Sequence, residues 1–580
     1  MNHVAGSASL SRRSPWCLRL GVALTALVSL YCGDNHQASK VSATRVARTA
    51  DVPGCAWASP VRVGGNVNPG VIVATTQGYL ARYDVNGVVQ WQTQLPSNNA
   101  NAVSWIAATP VVIDDLLVMV WQQTDGSLNA RDGHFVGVFD VNTGAERSEF
   151  PRVRLRAQQP ATDGGVVEFL DAHNFSRATL VSYRANPMQL GHVYVGFGNI
   201  RDIQPWHGWL FDIDVDAWRR DGGGAAIART FLTTPQRDCG PVGDSGSDDM
   251  ICGGGIWAPS GMYVRQSDIA AELWVPTGNG RLNPNTQSYA NSVMRVPLDF
   301  GFADGCDASC SNFSETVPSP ACMQSCRNVF MPRLAPGQEP LAPDNGLCAG
   351  MTFMECYARL DLDLGANSPI AVTQVIEGVK REFAVVPAKD GAVYLFDANH
   401  FGTMYDRLVI RDFCGDNGGT CTANWAGTMV TQPTLLGLET PLIVVPTFVF
   451  DATNTAGVVA LAIENTSNGP RLVEKWHAPA RGSQESVARF REHTGRAAAI
   501  ALAAQPYVVI ADPGAERSND GLLYVIDGAT GEIAARAGLD GPGHKYILPA
   551  VIGQRAIVSS CDTIMQGPTH LEYWDLSVAP

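Results

Sequence analysis

Three constellations in this sequence have residue types and spacings that chemistry could use. Gly243-Asp244-Ser245-Gly246 has the surroundings of a serine nucleophile. A hydrolase would also need a His and an Asp brought to that serine, and Ser245 lies in a Gly/Asp loop between Cys239 and Cys252. Asp212, Asp214 and Asp216 alternate as in a calcium-binding loop, but the sixth position is Ala217 rather than Gly and the twelfth is Gly223 rather than Glu. Without the bidentate ligand the run reads as the end of a strand. Cys306 and Cys310, then Cys322 and Cys326, are each one helical turn apart. Two short antiparallel helices would pair Cys306 with Cys326 and Cys310 with Cys322, and the rival is a four-thiolate metal site. Zinc motifs favour a two-residue gap, so disulfides are expected, provided that the compartment oxidises thiols.

The N-terminus supplies that compartment. Arg12, Arg13 and Arg19 precede the apolar run Leu20–Tyr31, too short to span a bilayer that needs ~20 helical residues. Residues 1–31 therefore read as a secretory signal. Cys32-Gly33-Asp34 follows and resembles a bacterial lipoprotein cleavage site, although Tyr31 replaces the small residue favoured before the cysteine. Cys32 is the candidate lipidation site, residues 32–54 a polar tether, and the protein is expected in the periplasm or anchored to the outer membrane of a Gram-negative bacterium. Cys17 and Cys32 aside, the cysteine count is even, which in an exported chain indicates disulfides. Cys239 with Cys252, Cys348 with Cys356 and Cys414 with Cys421 are spaced as local clips, and Cys55 with Cys561 would tie the two ends of the body together.

The 580 residues are 45% hydrophobic and 17% charged, enough to bury a large core. With 58 Gly and 35 Pro they point to short strands and tight turns, excluding coiled coils and helical solenoids. A formal charge of -14, more acidic still without the leader arginines, makes nucleic acid a poor partner. Any membrane association is expected through the lipid alone.

A repeated unit must position whatever chemistry there is. It consists of a Val/Ile/Tyr strand, a Gly turn, and a second strand ending in Asp, often with a Thr-Gly turn. Clear copies lie at 71–91, 133–146, 384–402 and 520–533, with weaker ones at 192–214, 273–296 and 458–470. Strand pairs led in by Pro recur at 108–120, 432–445 and 548–560. Each unit alternates with period two, so one apolar face needs a neighbour. Radial stacking of such hairpins gives a propeller, which protects its edges. Eight units spaced by about 66 residues fit residues 55–580.

The unit resembles the repeat of the pyrroloquinoline quinone (PQQ) propellers, in which a D-x-x-T-G-x-x-x-W turn ends each blade. Asp84, Gly87 and Trp91 supply its Asp, Gly and Trp; Asp140–Gly144 and Asp527–Gly531 match without the Trp. The resemblance implies an all-β, eight-bladed β-propeller of PQQ-like repeats, with residues 300–360 as a disulfide-rich insertion. Within it, CGGGIWAPSGMYV (252–264) and LWVPTGNG (273–280) resemble the quinoprotein alcohol dehydrogenases. That resemblance implies Trp257 as the floor under PQQ and Asn279 as a calcium ligand. It also implies Asp361 or Asp363 as general base and Lys389 as partner of the quinone oxygens. His207, Trp206 and Trp209 resemble residues of a poorly characterised exported branch of these propellers and are candidates for the central funnel.

Departures weigh on the other side. The dehydrogenases cover PQQ with a disulfide of adjacent cysteines, and this chain has no Cys-Cys pair. The carboxylate ligand expected in 121–133 is not a Glu, leaving Asp125 or Asp132, and no C-x-x-C-H haem site is present. Two functions follow. The first is a binding or scaffold protein of the cell envelope that holds a protein partner. The second is a PQQ- and calcium-dependent dehydrogenase oxidising an alcohol or sugar.

Overall fold

A computed structural model describes residues 40–578 apart from 66, 98–101, 125–130, 200–202, 240–242, 245–251, 267–269, 311–318, 334–361, 411–430, 450–454, 515–519, 543–544 and 564–565. The leader, Cys32, Asp125, Ser245, Asp361, Cys348, Cys356, Cys414 and Cys421 lie outside the described residues.

Alternation along the strands becomes two buried faces. Every residue of Leu116–Thr124 is buried. Leu116, Val118 and Val120 enter one core while Leu117, Met119 and Trp121 enter another. A strand apolar on both faces must lie in a sheet packed between two others. Eight antiparallel sheets of at least four strands satisfy this requirement, spanning 61–94, 103–154, 181–232, 263–330, 370–409, 434–478, 498–538 and, together with 41–48, 550–578. They form an eight-bladed β-propeller. Each neighbouring pair of blades shares its own apolar cluster, and the cluster joining Val71 and Val73 to Ile557 and Tyr573 closes the circle.

Closure is also covalent and backbone-made. Val41–Arg48 pairs with Gln566–Val578 as the outermost strand of the last blade. Part of the expected 32–54 tether is therefore propeller. An outermost strand shows most of its side chains to water, and only Val41 of this one is fully buried, so its composition reads as linker. Cys55 is bonded to Cys561, Cys239 to Cys252, Cys306 to Cys326 and Cys310 to Cys322, all as expected.

The expected 300–360 insertion is, in its described part, a loop of blade 4. It holds one helix, Pro320–Ser325, and a 3-10 turn, Ala308–Cys310, rather than two helices, and it ends in the blade's outer strand Val329–Phe330. Cys310, Cys322, Met323 and Cys326 pack into the core between blades 3 and 4. A two-residue strand carries too little pattern to be seen in sequence.

The segments leading into the eight innermost strands are hydrogen-bonded to one another around the axis. Ser59 N–H donates to Thr109 Oγ1 at 3.0 Å and Leu180 N–H to the Thr109 carbonyl at 3.0 Å. Thr179 N–H donates to the Ala258 carbonyl, and Ala258 N–H to the Gly365 carbonyl at 2.8 Å. Thr431 N–H reaches Asn367 Oδ1 at 2.9 Å, and Arg496 reaches Gln432 Oε1 at 2.6 Å. Tyr546 N–H donates to the His493 carbonyl, and Leu548 N–H to Ser59 Oγ at 3.0 Å, returning to blade 1. Further out, Trp91 donates Nε1–H to the Val141 carbonyl at 3.0 Å and Trp476 to that of Gly528 at 3.1 Å. Each indole lies against the glycine of the next blade's Asp-x-x-Thr-Gly turn, Gly144 or Gly531.

Replacing Cys55 and Cys561 together by Ser opens a loop of 506 residues. The loss is expected to be about 4 kcal/mol of stability, read as a lower denaturation midpoint with the fold retained.

Candidate functional site

Residues 206–208, 252–255 and 278–281 form a three-segment ladder at the axial end of blades 3 and 4. Gly208 N–H donates to the Gly253 carbonyl, Gly254 N–H to that of Asn279 and Gly278 N–H to that of Gly255. The triple glycine is required by this approach: a Cβ on Gly253 would lie 2.2 Å from the Asn279 carbonyl oxygen. The ladder delivers Trp257. Its indole Nε1–H donates to the Asn199 carbonyl, and Gly198, Gly255, Gly278 and Gly365 crowd the ring so closely that a Cβ on Gly278 would lie 1.9 Å from Cζ3.

Gly365 follows Asp363, and the turn between them brings that carboxylate to the same place. Asp363 Oδ1 accepts the Gly365 N–H at 2.7 Å and Oδ2 accepts from Lys389 Nζ at 2.7 Å. The Lys389 ammonium stands 5.8 Å from the Trp257 ring centroid. Exposure is 8% for Trp257, 4% for Lys389, 2% for Asn279 and 0% for Asp363. Thus Trp257, Asp363 and Lys389 are together, and Asn279 follows Gly278 at the indole. Trp206 joins them, its ring 5.5 Å from that of Trp257.

Other sequence candidates stand elsewhere. Trp209 is in the core between blades 2 and 3. His207 is buried, with Nδ1–H toward the Thr234 carbonyl at 2.8 Å and Nε2 3.6 Å from Cys239 Sγ. Burial pushes it down to about 4, so it is a neutral structural imidazole. Asp132 is exposed, whereas the buried polar groups at the end of blade 2's second strand, Gln122, Gln123 and Thr124, are all neutral. Asp212 pairs with His192 and Arg229, Asp214 caps the helix Val215–Asp221, and Asp216 accepts from Leu190 and Gly191. Three carboxylates spent on different partners make no calcium loop.

A second axial group escaped the sequence reading. Trp57, Trp105 and Phe175 meet edge to face, with Trp57 5.1 Å from Trp105, and Arg177 and Tyr546 adjoin them. Tyr546 packs against Phe448 and Ala366, and Ala366 is the residue after Gly365. His493 lies between Phe448 and Tyr546 and is hydrogen-bonded to Glu492 at 2.5 Å. Burial, with the charges of Lys545 and Arg177, holds His493 down to about 4. Burial would raise Glu492, but His493 and Lys545 overcome this and hold it at about 2. The available signal is an aromatic or cationic residue a few positions ahead of most innermost strands, though not of Ile370–Ile376, a pattern without a family motif.

No protein-family model matches the sequence, and no curated protein is similar to it. Solved structures share its architecture. A europium-containing methanol dehydrogenase superposes with a TM-score of 0.50 at 12% identity, covering 92% of each chain. The quinohemoprotein alcohol dehydrogenase from Comamonas testosteroni gives 0.49 at 13% identity over 92% of this chain and 76% of that one. BamB from Moraxella catarrhalis gives 0.41 at 13% identity, over 93% and 99%. The likeness to the methanol dehydrogenase is one of fold, and it agrees with the fold that the PQQ-like repeats imply.

Gly278→Ala is expected to displace the Trp257 indole and cost about 1–3 kcal/mol, as overpacking does. Denaturation together with near-ultraviolet circular dichroism measures both effects, while Gly224→Ala, where nothing lies within 4 Å of the added carbon, serves as the control.

Proposed function

We propose that the protein is an exported, lipid-anchored propeller of the cell envelope that acts by binding, as a carrier or scaffold, and not by oxidising a substrate. The observation that carries this reading is the state of Asp363. Both of its carboxylate oxygens are engaged within the chain, one by a backbone N–H and one by the Lys389 ammonium. Calcium requires several oxygens, some of them anionic. Around Trp257 the described donors are the Asn279 amide and this already neutralised carboxylate; of the two carboxylates that could stand for the resemblance's further ligand in 121–133, Asp132 is exposed and Asp125 lies outside the described residues. The described residues do not fit a calcium ion beside a quinone. The leader over residues 1–31 and Cys32 support export and anchoring.

A second reading, a PQQ-dependent dehydrogenase of an alcohol or sugar, is favoured by the meeting of Trp257, Asp363 and Lys389. In that reading Trp257 would be the platform under the quinone, Lys389 the cation at its oxygens, and Asp361 or Asp363 the base.

Titrating the purified protein with PQQ and Ca2+ separates the two. Tryptophan fluorescence is expected to show no stoichiometric quenching, and an artificial electron acceptor no reduction with mixed alcohols and sugars. Calcium-dependent quenching that is lost in Trp257→Ala would establish the dehydrogenase reading instead. Cys32→Ser is expected to move the protein from the membrane to the soluble fraction of envelope preparations; retention in the membrane fraction would remove the lipid anchor.

A further inference from the structure

Arg177 is surrounded by rings and has no anion. Its guanidinium carbon lies 5.6 Å from the Trp57 ring, 5.6 Å from Phe175 and 5.0 Å from Tyr546. No carboxylate and no hydrogen-bond acceptor pairs with it among the described residues, and its buried Nε–H is unsatisfied. The nearby acid, Glu492, is committed to His493 and to Lys545 at 3.1 Å. Near the axis Lys389, by contrast, is neutralised by Asp363.

Independent groups beside Arg177 are also unspent. Among the described residues Trp105 Nε1–H is buried without a partner, and so are both the nitrogen and the oxygen of the Gln122 amide, a side chain only 3% exposed. Gln122 stands opposite Trp105 in the strand ladder, and Trp105 packs edge to face on Trp57 and Phe175. A buried donor left unsatisfied is costly, so several in one neighbourhood signal a group that comes from outside the chain. Trp57, Arg177 and Tyr546 are half-buried, which leaves a way in.

We propose that this axial site binds a small organic monoanion, a carboxylate on a planar apolar body, with Arg177 as its principal contact. A guanidinium whose faces are covered by rings presents its in-plane N–H fork, and that fork matches a carboxylate. The indole N–H and the amide N–H of Gln122 add neutral donors, while Trp57, Phe175 and Tyr546 offer apolar surface to the body of the ligand. Inorganic phosphate suits the site less well, because it brings a second charge and no apolar surface. The inference rests on the binding reading above and names its ligand class.

The test is calorimetric titration of the full mature chain with benzoate as probe, against benzyl alcohol and inorganic phosphate. Benzoate is expected to bind at one site, at least ~10-fold more tightly than either control, a difference of about 1.4 kcal/mol. Arg177→Gln, with melting checked against the parent, is expected to lose at least that factor. If Arg177→Gln does not fold, Arg177→Lys decides, because it keeps the charge but not the fork and should also bind benzoate more weakly. Absence of benzoate binding, equal binding of benzoate and phosphate, or unchanged affinity in the folded Arg177 variant would overturn the proposal. The quinone titration is read separately at Trp257, so a benzoate failure leaves the binding reading standing, and quinone binding overturns that reading by itself.

Discussion

The ring of hydrogen bonds among the eight lead-in segments is the constraint on which the rest of the molecule depends. The apolar clusters of this protein lie between blades, one for each neighbouring pair. Among the described residues, nothing apolar on that scale gathers the blades at their common axis. There, backbone and short polar side chains such as Ser59, Thr109, Thr179 and Asn367 are bonded from one blade to the next. These bonds satisfy groups that would otherwise be buried unpaired. They also fix where the side chains just ahead of each innermost strand must stand.

That fixing explains the unusual density of buried ions near the axis. Taking a charge out of water is costly unless a partner of good geometry waits for it. Lys389 with Asp363, and Lys545 with Glu492 and His493, meet this condition. Such pairs hold the interior in one arrangement, and His493 and Lys545 keep the Glu492 carboxyl well below the usual carboxylate range. Arg177, wrapped by rings alone, is the contrast that gives the axis a binding character.

Much of this was legible in sequence for local reasons. The hairpin unit, the Asp-x-x-Thr-Gly turns and the disulfide pairings depend on period-two alternation, turn residues and cysteine spacing. Trp257, Asp363 and Lys389 were also legible, because each stands in a motif with a family counterpart. Other features left no local trace. Val41–Arg48 looks like linker because an outermost strand needs few apolar residues, and Val329–Phe330 is too short to alternate. Trp209, only three residues from Trp206, points into the core between blades, since its strand position sets its face.

The sequence by itself therefore determined the repeat, the blade number and the covalent clasp between the first and last parts of the body. Tertiary structure alone decided which residues share the axis. Trp57, Trp105, Phe175, Arg177, Phe448, His493 and Tyr546 come from six separate segments scattered along the chain, and no spacing between those segments carries meaning in sequence. They meet because Cys55 and Cys561, the outer strand Val41–Arg48 and the hydrogen-bonded ring close the circle. A strand's alternation is written within each repeat, whereas a neighbourhood on the axis exists only once all eight repeats have closed.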